Sequence, residues 1–481
     1  MSDSSGPADQ NYGSFVCGCE ASQRWVCHAE GFYGEHGGKS YCVLHYPASG
    51  KEAEFEKALR RKIEAEDFSF DGVWFPQFIY FRGHVFNSDV SFGKSHFIGG
   101  AEFSCAQSAS FIGTRFYEPS SFAGARFEAA CYFGQAWFRK QSYFNHARFN
   151  AAADFGSARF ESDAVFSDAK FDEGVTFKGS GFISSVMFDG VVFKSPVSFQ
   201  ASMFGRVEEL YSEAIPSNPD GPRRVDFGGT IFKDSVIFES NPIPKQSHVS
   251  FSTAAFEKPE RATFHSVRLR PHWFINADTR KLNFINVDWG FIDQRDTIKR
   301  EVDTLERYGR GYLKQLLEIT FRQLAVNAED NNRYEEAANF RYLSMEMRRL
   351  QRWRKVDLFR LSWWYWLLSG YGEHVQRAFN ALVVIWALFA LIYWSGNSTW
   401  WQPKQATKQS TEAPESGRQP FSTAPLTFPE AIIYSAGVIA LQKPEPLPAN
   451  KRAKASVLFE TILGPIQAAL LALAIRRKFM R

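Results

Sequence analysis

Sustained charge of one sign is missing from this chain. Across 481 residues, 56 lysines and arginines meet 52 aspartates and glutamates, for a net charge of +4. Between residues 68 and 204 the balance is 12 acidic to 11 basic side chains. A protein that mimics nucleic acid needs sustained negative charge, and one that binds it needs sustained positive charge. Neither role is expected, and no nucleic-acid partner with it. Paired carboxylates in a catalytic context, a Gly-rich phosphate loop and a Ser/His/Asp arrangement are also missing, so no enzyme is expected. Residues 1–15 are polar and lack an apolar core, which predicts a disordered start and no signal peptide. Cysteine is scarce: there are six, and four of them precede residue 43.

Phenylalanine is abundant, and it is placed with a strict rhythm. Phe127, Phe133, Phe138, Phe144, Phe149, Phe155, Phe160, Phe166, Phe171, Phe177, Phe182, Phe188, Phe193, Phe199 and Phe204 follow one another in steps of five and six. On a helix, a step of five would put successive rings on different faces. The residues between them are rich in Gly, Ser, Asp and β-branched types, which favour turns and short strands. A simple strand fails too, because its inward residues lie two apart. The geometry that fits is a coil of short straight faces, one Phe per face pointing to the axis, with small residues at the corners. Four faces use about 22 residues per coil, and each coil hydrogen-bonds to the next.

The run ARFNAAADFGSARFESDAVF (147–166) resembles the Phe-rich class of pentapeptide-repeat proteins. That resemblance implies a right-handed quadrilateral β-helix over residues 67–290. It implies a rigid spacer or interaction platform, with a protein partner on its surface. One slip separates Phe103 from Phe111, and the Pro- and Asp-rich stretch 206–224 reads as a surface insertion. Cys105 and Cys131, inside the coils, are expected to be small apolar fillers.

Without export, the early cysteines point to a metal site rather than to disulfides. Cys42 and His45 stand three apart, the spacing of one turn that can clasp an ion, and Cys19 and Cys27 can complete a tetrahedral Cys3His set. Cys17 can take the place of Cys19, and the sequence does not choose between them; His28 and His36 are further candidates. The segment C-x7-C-x14-C-x2-H, followed by KEAEFEKALRRKIEAE (51–66), resembles a small zinc module that precedes pentapeptide repeats. The resemblance implies a structural Zn2+ within residues 16–66.

After Trp289 the composition turns to helix formers. Residues 291–355 predict an amphipathic helical hairpin, TPR-like, with its joint at Asn327–Asn332 and a capping place on the last coil. The segment 356–377 holds an aromatic band, LSWWYWLL (361–368), of the kind that sits at lipid headgroup level. Two apolar runs follow, Ala378–Trp394 and Ser456–Ile475, each long enough to span a bilayer. Arginine clusters before the first and after the second predict a multi-pass plasma (inner) membrane protein with both termini cytoplasmic. Lys451, Arg452 and Lys454 in the connecting loop oppose this orientation without reversing it.

Between the runs, 395–427 is rich in Pro, Ser and Thr, and Phe428–Leu441 is apolar but too short to cross. Span, loop, re-entrant segment and span together resemble the two-helix pore domain of potassium-channel-like proteins, over residues 378–481. The resemblance assigns Ser435, Gly437, Ile439, Ala440, Leu441, Gln442 and Lys443 to the pore helix and its mouth, and Glu460, Gly464, Pro465 and Gln467 to the inner helix. It also implies a homotetramer, since a two-span subunit cannot enclose a pore alone. One departure stands out. A potassium filter needs consecutive backbone carbonyls, and Ile439–Pro444 offers no glycine pair to present them. Glu460 either reaches the interface or faces the bundle. Gln467 is placed for a helix contact, and Pro465 for a kink or a hinge. Two expectations follow, a poorly selective ion pore or a non-conducting membrane-anchored scaffold.

Overall fold

The fold, taken from a computed structural model, is described for all residues except 1–14, 21–26, 28–29, 82–85, 87, 104, 107, 206–223, 242, 244–247, 292–293, 308–313, 352–360, 397, 403–424 and 480–481. It divides into two units, Met1–Asn327 and Ala328–Arg481. Each is built on a different plan.

The first unit is a β-solenoid of about eight coils, whose short strands form four parallel sheets of seven, eight, seven and nine strands. Most strands are two residues long, with one residue out and one in, as in Arg159–Phe160 and Lys170–Phe171. Neighbouring coils keep register, so Arg148 faces Lys170 and Phe149 faces Phe171. The inward rings therefore stack. Phe133 lies 4.8 Å from Phe155, Phe144 lies 4.7 Å from Phe166, and Phe149 lies 4.5 Å from Phe171, each pair within 4° of parallel. Rings from adjacent faces meet edge-on, as Phe144 and Phe155 do at 85°. Both arrangements suit the aromatic quadrupole better than a face-to-face sandwich at van der Waals contact would.

The corners repeat as strictly as the rings. Every eleventh residue from Gly113 through Gly124, Gln135, His146, Ser157, Asp168, Gly179 and Gly190 to Ala201 has a positive φ. Five of these nine are not glycine. Their strain is offset by bonds to the next coil, such as Gln135 N–H to the Gly156 carbonyl (2.9 Å) and Ser157 N–H to that of Lys178 (2.8 Å).

The slip between Phe103 and Phe111 is no break in the coil. Cys105–Ala106 pairs in register with Arg126–Phe127, so Ala106 occupies the position that Phe127 holds one coil on. The insertion 206–224 falls almost entirely outside the described residues. The coil resumes in register after it, with Val225 beside Val186 and Phe227 stacked 5.0 Å from Phe188. Cys131 is fully buried, as a filler should be.

Helices close both ends of this unit. Helix α1 (Glu52–Glu64) buries Phe55 edge-on against Phe75 of the first coil, 5.4 Å away. At the other end lies α2 (Gln294–Arg307), a helix the hairpin reading missed although Ile298 and Leu305 repeat on one face. Its Glu301 is buried among His272, Arg270 and Arg300. Burial opposes that carboxylate's charge, but its contacts with His272, Arg270 and Arg300 outweigh it and hold its pKa at about 2. Helix α3 (Lys314–Asp330) runs through Asn327, which the hairpin reading had placed in the joint. Asn327 Nδ2 instead donates to the carbonyls of Thr279, Arg280 and Leu282 (2.8–3.0 Å), satisfying carbonyls that no further coil would pair. The turn comes at Asn332, whose φ is positive, before α4 (Tyr334–Gln351).

The second unit is a helical bundle. Short α5 (Leu361–Ser369) leads to α6 (Val375–Trp394), α7 (Phe428–Ile439) and α8 (Lys451–Phe479). Helices α6 and α8 are long and apolar enough to cross a membrane, and α8 extends past the run expected from hydropathy at both ends. Pro465 lies inside α8, which continues beyond it.

Candidate functional site

Two places gather chemistry-bearing side chains, one in each unit. In the first, a hairpin of β1 (Phe32–His36) and β2 (Lys39–Cys42) ends in a turn that carries Cys42 and His45 to the same side. Ligand atoms of Cys17, Cys27, Cys42 and His45 all lie within 4.8 Å of one another, and all four residues are buried. Cys17 Sγ is 3.9 Å from Cys42 Sγ, and His45 Nδ1 is 3.1 Å from Cys27 Sγ and 3.3 Å from Cys42 Sγ. A tetrahedral ion with bonds near 2.3 Å needs ligand atoms about 3.8 Å apart, so the set fits such an ion.

Cys19 lies at the rim, its Sγ 3.6 Å from that of Cys27. The choice between Cys17 and Cys19 turns on Gly18. Its N–H donates to the Ser40 carbonyl (2.7 Å), and a Cβ there would stand 2.7 Å from Lys39 Cβ. Only glycine lets the chain press this close to β2 and send Cys17 inward. The Cys-Gly-Cys spelling is the one sequence signal for that arrangement.

Hydrogen bonding in the cluster favours deprotonation of one sulfur, that of Cys17. Hydrogen bonds from Cys19, Cys27 and Cys42 hold the Cys17 thiol far below its ordinary pKa, while Cys27 is pushed up as one of the donors. Burial disfavours a charged His45, yet Cys17 and Cys42 hold its pKa up at about 9. The other ring nitrogen, Nε2, sits 3.0 Å from the Asp71 carbonyl, which fixes Nδ1 toward the sulfurs. Lys51, fully buried, donates to the carbonyls of Val43 (2.6 Å) and Leu44 (3.1 Å) and braces the turn. Among the other candidates, His36 lies on β1 and His28 is outside the described residues.

In the second unit, α7 packs between α6 and α8. Thr427 and Glu430 form a capping box at its start, with Thr427 N–H and hydroxyl donating to the Glu430 carboxylate (2.9 and 2.7 Å). Tyr393, Trp401, Tyr434 and Val438 make a buried cluster around it. At its centre is Glu460, fully buried, which accepts from the Tyr393 hydroxyl (2.6 Å) and from the Ser435 hydroxyl. One residue from each of α6, α7 and α8 thus meets in a single polar contact. Of the two places open to Glu460, the bundle interior is the one it takes.

Gln467 lies two residues past Pro465 and donates to the carbonyls of Leu368 (3.0 Å) and Ala378 (2.8 Å). A helix contact is what its position called for. Gly464 lets α8 touch the end of α7, since a Cβ there would stand 2.8 Å from Ile439 Cγ1. Beyond Ile439 the chain does not extend. Leu441 takes a positive φ, and Gln442 N–H returns to the Gly437 carbonyl (2.9 Å), closing the helix. Ala440, Leu441, Gln442 and Lys443 are exposed, whereas Ser435 is buried.

A family model described as pentapeptide repeats, in nine copies, matches residues 111–159, wholly within the solenoid. No curated protein and no solved structure matches the chain. The protein carries a pentapeptide-repeat β-solenoid together with a helical bundle that has two helices long and apolar enough to span a membrane.

Proposed function

We propose that this is an oligomeric, channel-like protein of the plasma (inner) membrane, with its pentapeptide-repeat solenoid as a cytoplasmic sensor or docking arm and no catalytic role. The observation that carries the proposal is α7, a helix too short to span, held between two long apolar helices by Tyr393, Ser435 and Glu460. A plain anchor has no use for such an element. The apolar windows of α6 and α8 are only 17% and 22% buried, far less than the core helices of a water-soluble domain. Phe379, Val384 and Leu388 on α6 and Leu458, Phe459 and Ile466 on α8 face outward, as lipid contact or subunit packing requires.

In this reading four copies surround a pore, both termini are cytoplasmic, and Zn2+ in the Cys17–Cys27–Cys42–His45 set stabilises the start of a right-handed quadrilateral solenoid. Elemental analysis is expected to find one zinc per chain, lost in Cys17→Ser and kept in Cys19→Ser. The reverse pattern would restore Cys19 as the ligand.

One observation favours a non-conducting scaffold instead. The closed turn at Leu441–Gln442 puts no row of carbonyls where a filter would lie. Cation flux into proteoliposomes separates the two. The channel reading expects flux of poor selectivity that rises in Lys443→Glu. No flux from either protein would leave the scaffold.

A further inference from the structure

Arginines crowd the end of the bundle where α6 begins and α8 finishes, and most are neutralised within it. Arg341 and Arg477 share the Glu373 carboxylate at 3.2 and 3.1 Å, and Arg341 also holds Glu329 at 2.7 Å. Arg349 pairs with Glu346, whose carboxylate also accepts from the Tyr371 hydroxyl at 3.2 Å. Arg377, in the first turn of α6, differs. Among the described residues no carboxylate lies within ion-pair distance of it.

Arg377 is nonetheless fixed. Its Nε donates to the Leu367 carbonyl (3.0 Å), and its guanidinium lies 4.5 Å from the Trp366 ring. The same ring holds the Arg349 guanidinium at 4.6 Å. Two cations thus share one indole, and of the two only Arg349 has a carboxylate partner, Glu346, among the described residues. The grip on Arg377 uses only Nε. Both terminal nitrogens are without a protein acceptor among the described residues, a planar fork suited to two oxygens of one phosphate. The same two helices, α5 and α6, carry exposed apolar side chains, with Phe379 at 49%, Trp364 at 47% and Leu367 at 36% exposure. A ligand seated here meets a cationic fork at one end and hydrocarbon surface at the other.

We propose that Arg377, fixed on Trp366 beside Arg349, is a headgroup site for an anionic phospholipid in the leaflet at this end of the two helices. The proposal rests on the membrane reading above. It adds a specific lipid to it, because a positive surface alone would attract anionic lipid without a fixed, uncompensated arginine.

The test uses full-length protein in detergent, incubated with phosphatidylglycerol or phosphatidylcholine and examined by native mass spectrometry. Wild type is expected to retain phosphatidylglycerol preferentially, with retention falling roughly fivefold to tenfold in Arg377→Gln and less in Arg377→Lys. Arg452→Gln, at the other end of α8, should leave retention unchanged. Equal retention by wild type and Arg377→Gln would overturn the site. Displacement of the lipid by millimolar inorganic phosphate would make it a free-phosphate site instead. Alkaline carbonate extraction keeps the two readings apart. Protein that washes off the membrane fails the membrane reading and this site with it, whereas protein that stays but shows no Arg377 dependence fails the site alone.

Discussion

In the solenoid, Phe144, Phe155 and Phe166 are fully buried while Tyr143 and Arg159 point outward. In the bundle, the polar Ser435, Glu460 and Gln467 are fully buried beside Tyr393 and Ala431, while Leu458, Phe459, Ile462 and Ile466 point outward. The first unit follows the rule for water, in which apolar area is removed from solvent and polar groups stay in it. The second departs from that rule in the way the proposed membrane setting requires, since in hydrocarbon apolar side chains lose nothing by exposure and polar ones must find partners inside. On the proposed reading, the same physical chemistry builds two different interiors, and the solvent each faces is the difference.

That contrast can be broken at single residues. Phe155→Ala should cost about 3–5 kcal/mol, read as a fall in the denaturant midpoint of the solenoid, because ring stacks above and below hold the cavity open. A loss under 1 kcal/mol would mean that the coils relax around the gap. Ile466→Arg places a charge on the outward face of α8. If lipid lies there, membrane insertion should drop by about 2.5–3.5 kcal/mol, measured by glycosylation mapping of the helix. An unaffected insertion would show that water, not lipid, covers this face. Glu460→Ala strands the Tyr393 hydroxyl, while Ser435 keeps the Trp386 carbonyl at 3.1 Å, and should lower the melting temperature in detergent by the equivalent of about 1–3 kcal/mol, with Glu460→Gln recovering part. If alanine is tolerated, apolar packing alone holds α7.

A pH dependence of the solenoid offers a further test. His96 stacks on Trp74 with ring centres 3.9 Å apart, and burial together with nearby Arg115 lowers its pKa to about 4. Its unfolded value is near 6.5, so between those two pH values the unfolded chain takes up a proton that the folded chain refuses. Stability should therefore fall as pH drops from about 6.5 toward 4, and level off below. His96→Phe keeps a ring on Trp74 and should flatten that part of the curve. Parallel pH profiles for the two proteins would remove His96 from the account.

The two units also differ in how openly the sequence declares them. The phenylalanine rhythm exposes the solenoid because each ring's period is set by its coil, and Ala106 in the place of a ring hides only one step. The bundle is legible as hydropathy, which gives the length of α6 and α8 but not which way a polar residue on them turns. Glu460 therefore stayed open between interface and interior until Tyr393 and Ser435 were seen to converge on it. In the Cys/His cluster, spacing singles out Cys42 and His45. Choosing Cys17 over Cys19 needed the contact of Gly18 with β2, which no spacing encodes. Helix α2 went unread because its charged residues outnumber its apolar ones, and its buried Glu301 is compensated by side chains distant in sequence.

The most direct test of the central claim is the subunit count of the full-length protein in lipid nanodiscs, by native mass spectrometry. The account predicts a tetramer, in which the outward apolar faces of α6 and α8 are shared between neighbouring copies and lipid. A monomer or dimer, with two or four such helices, could not enclose a pore and would contradict it.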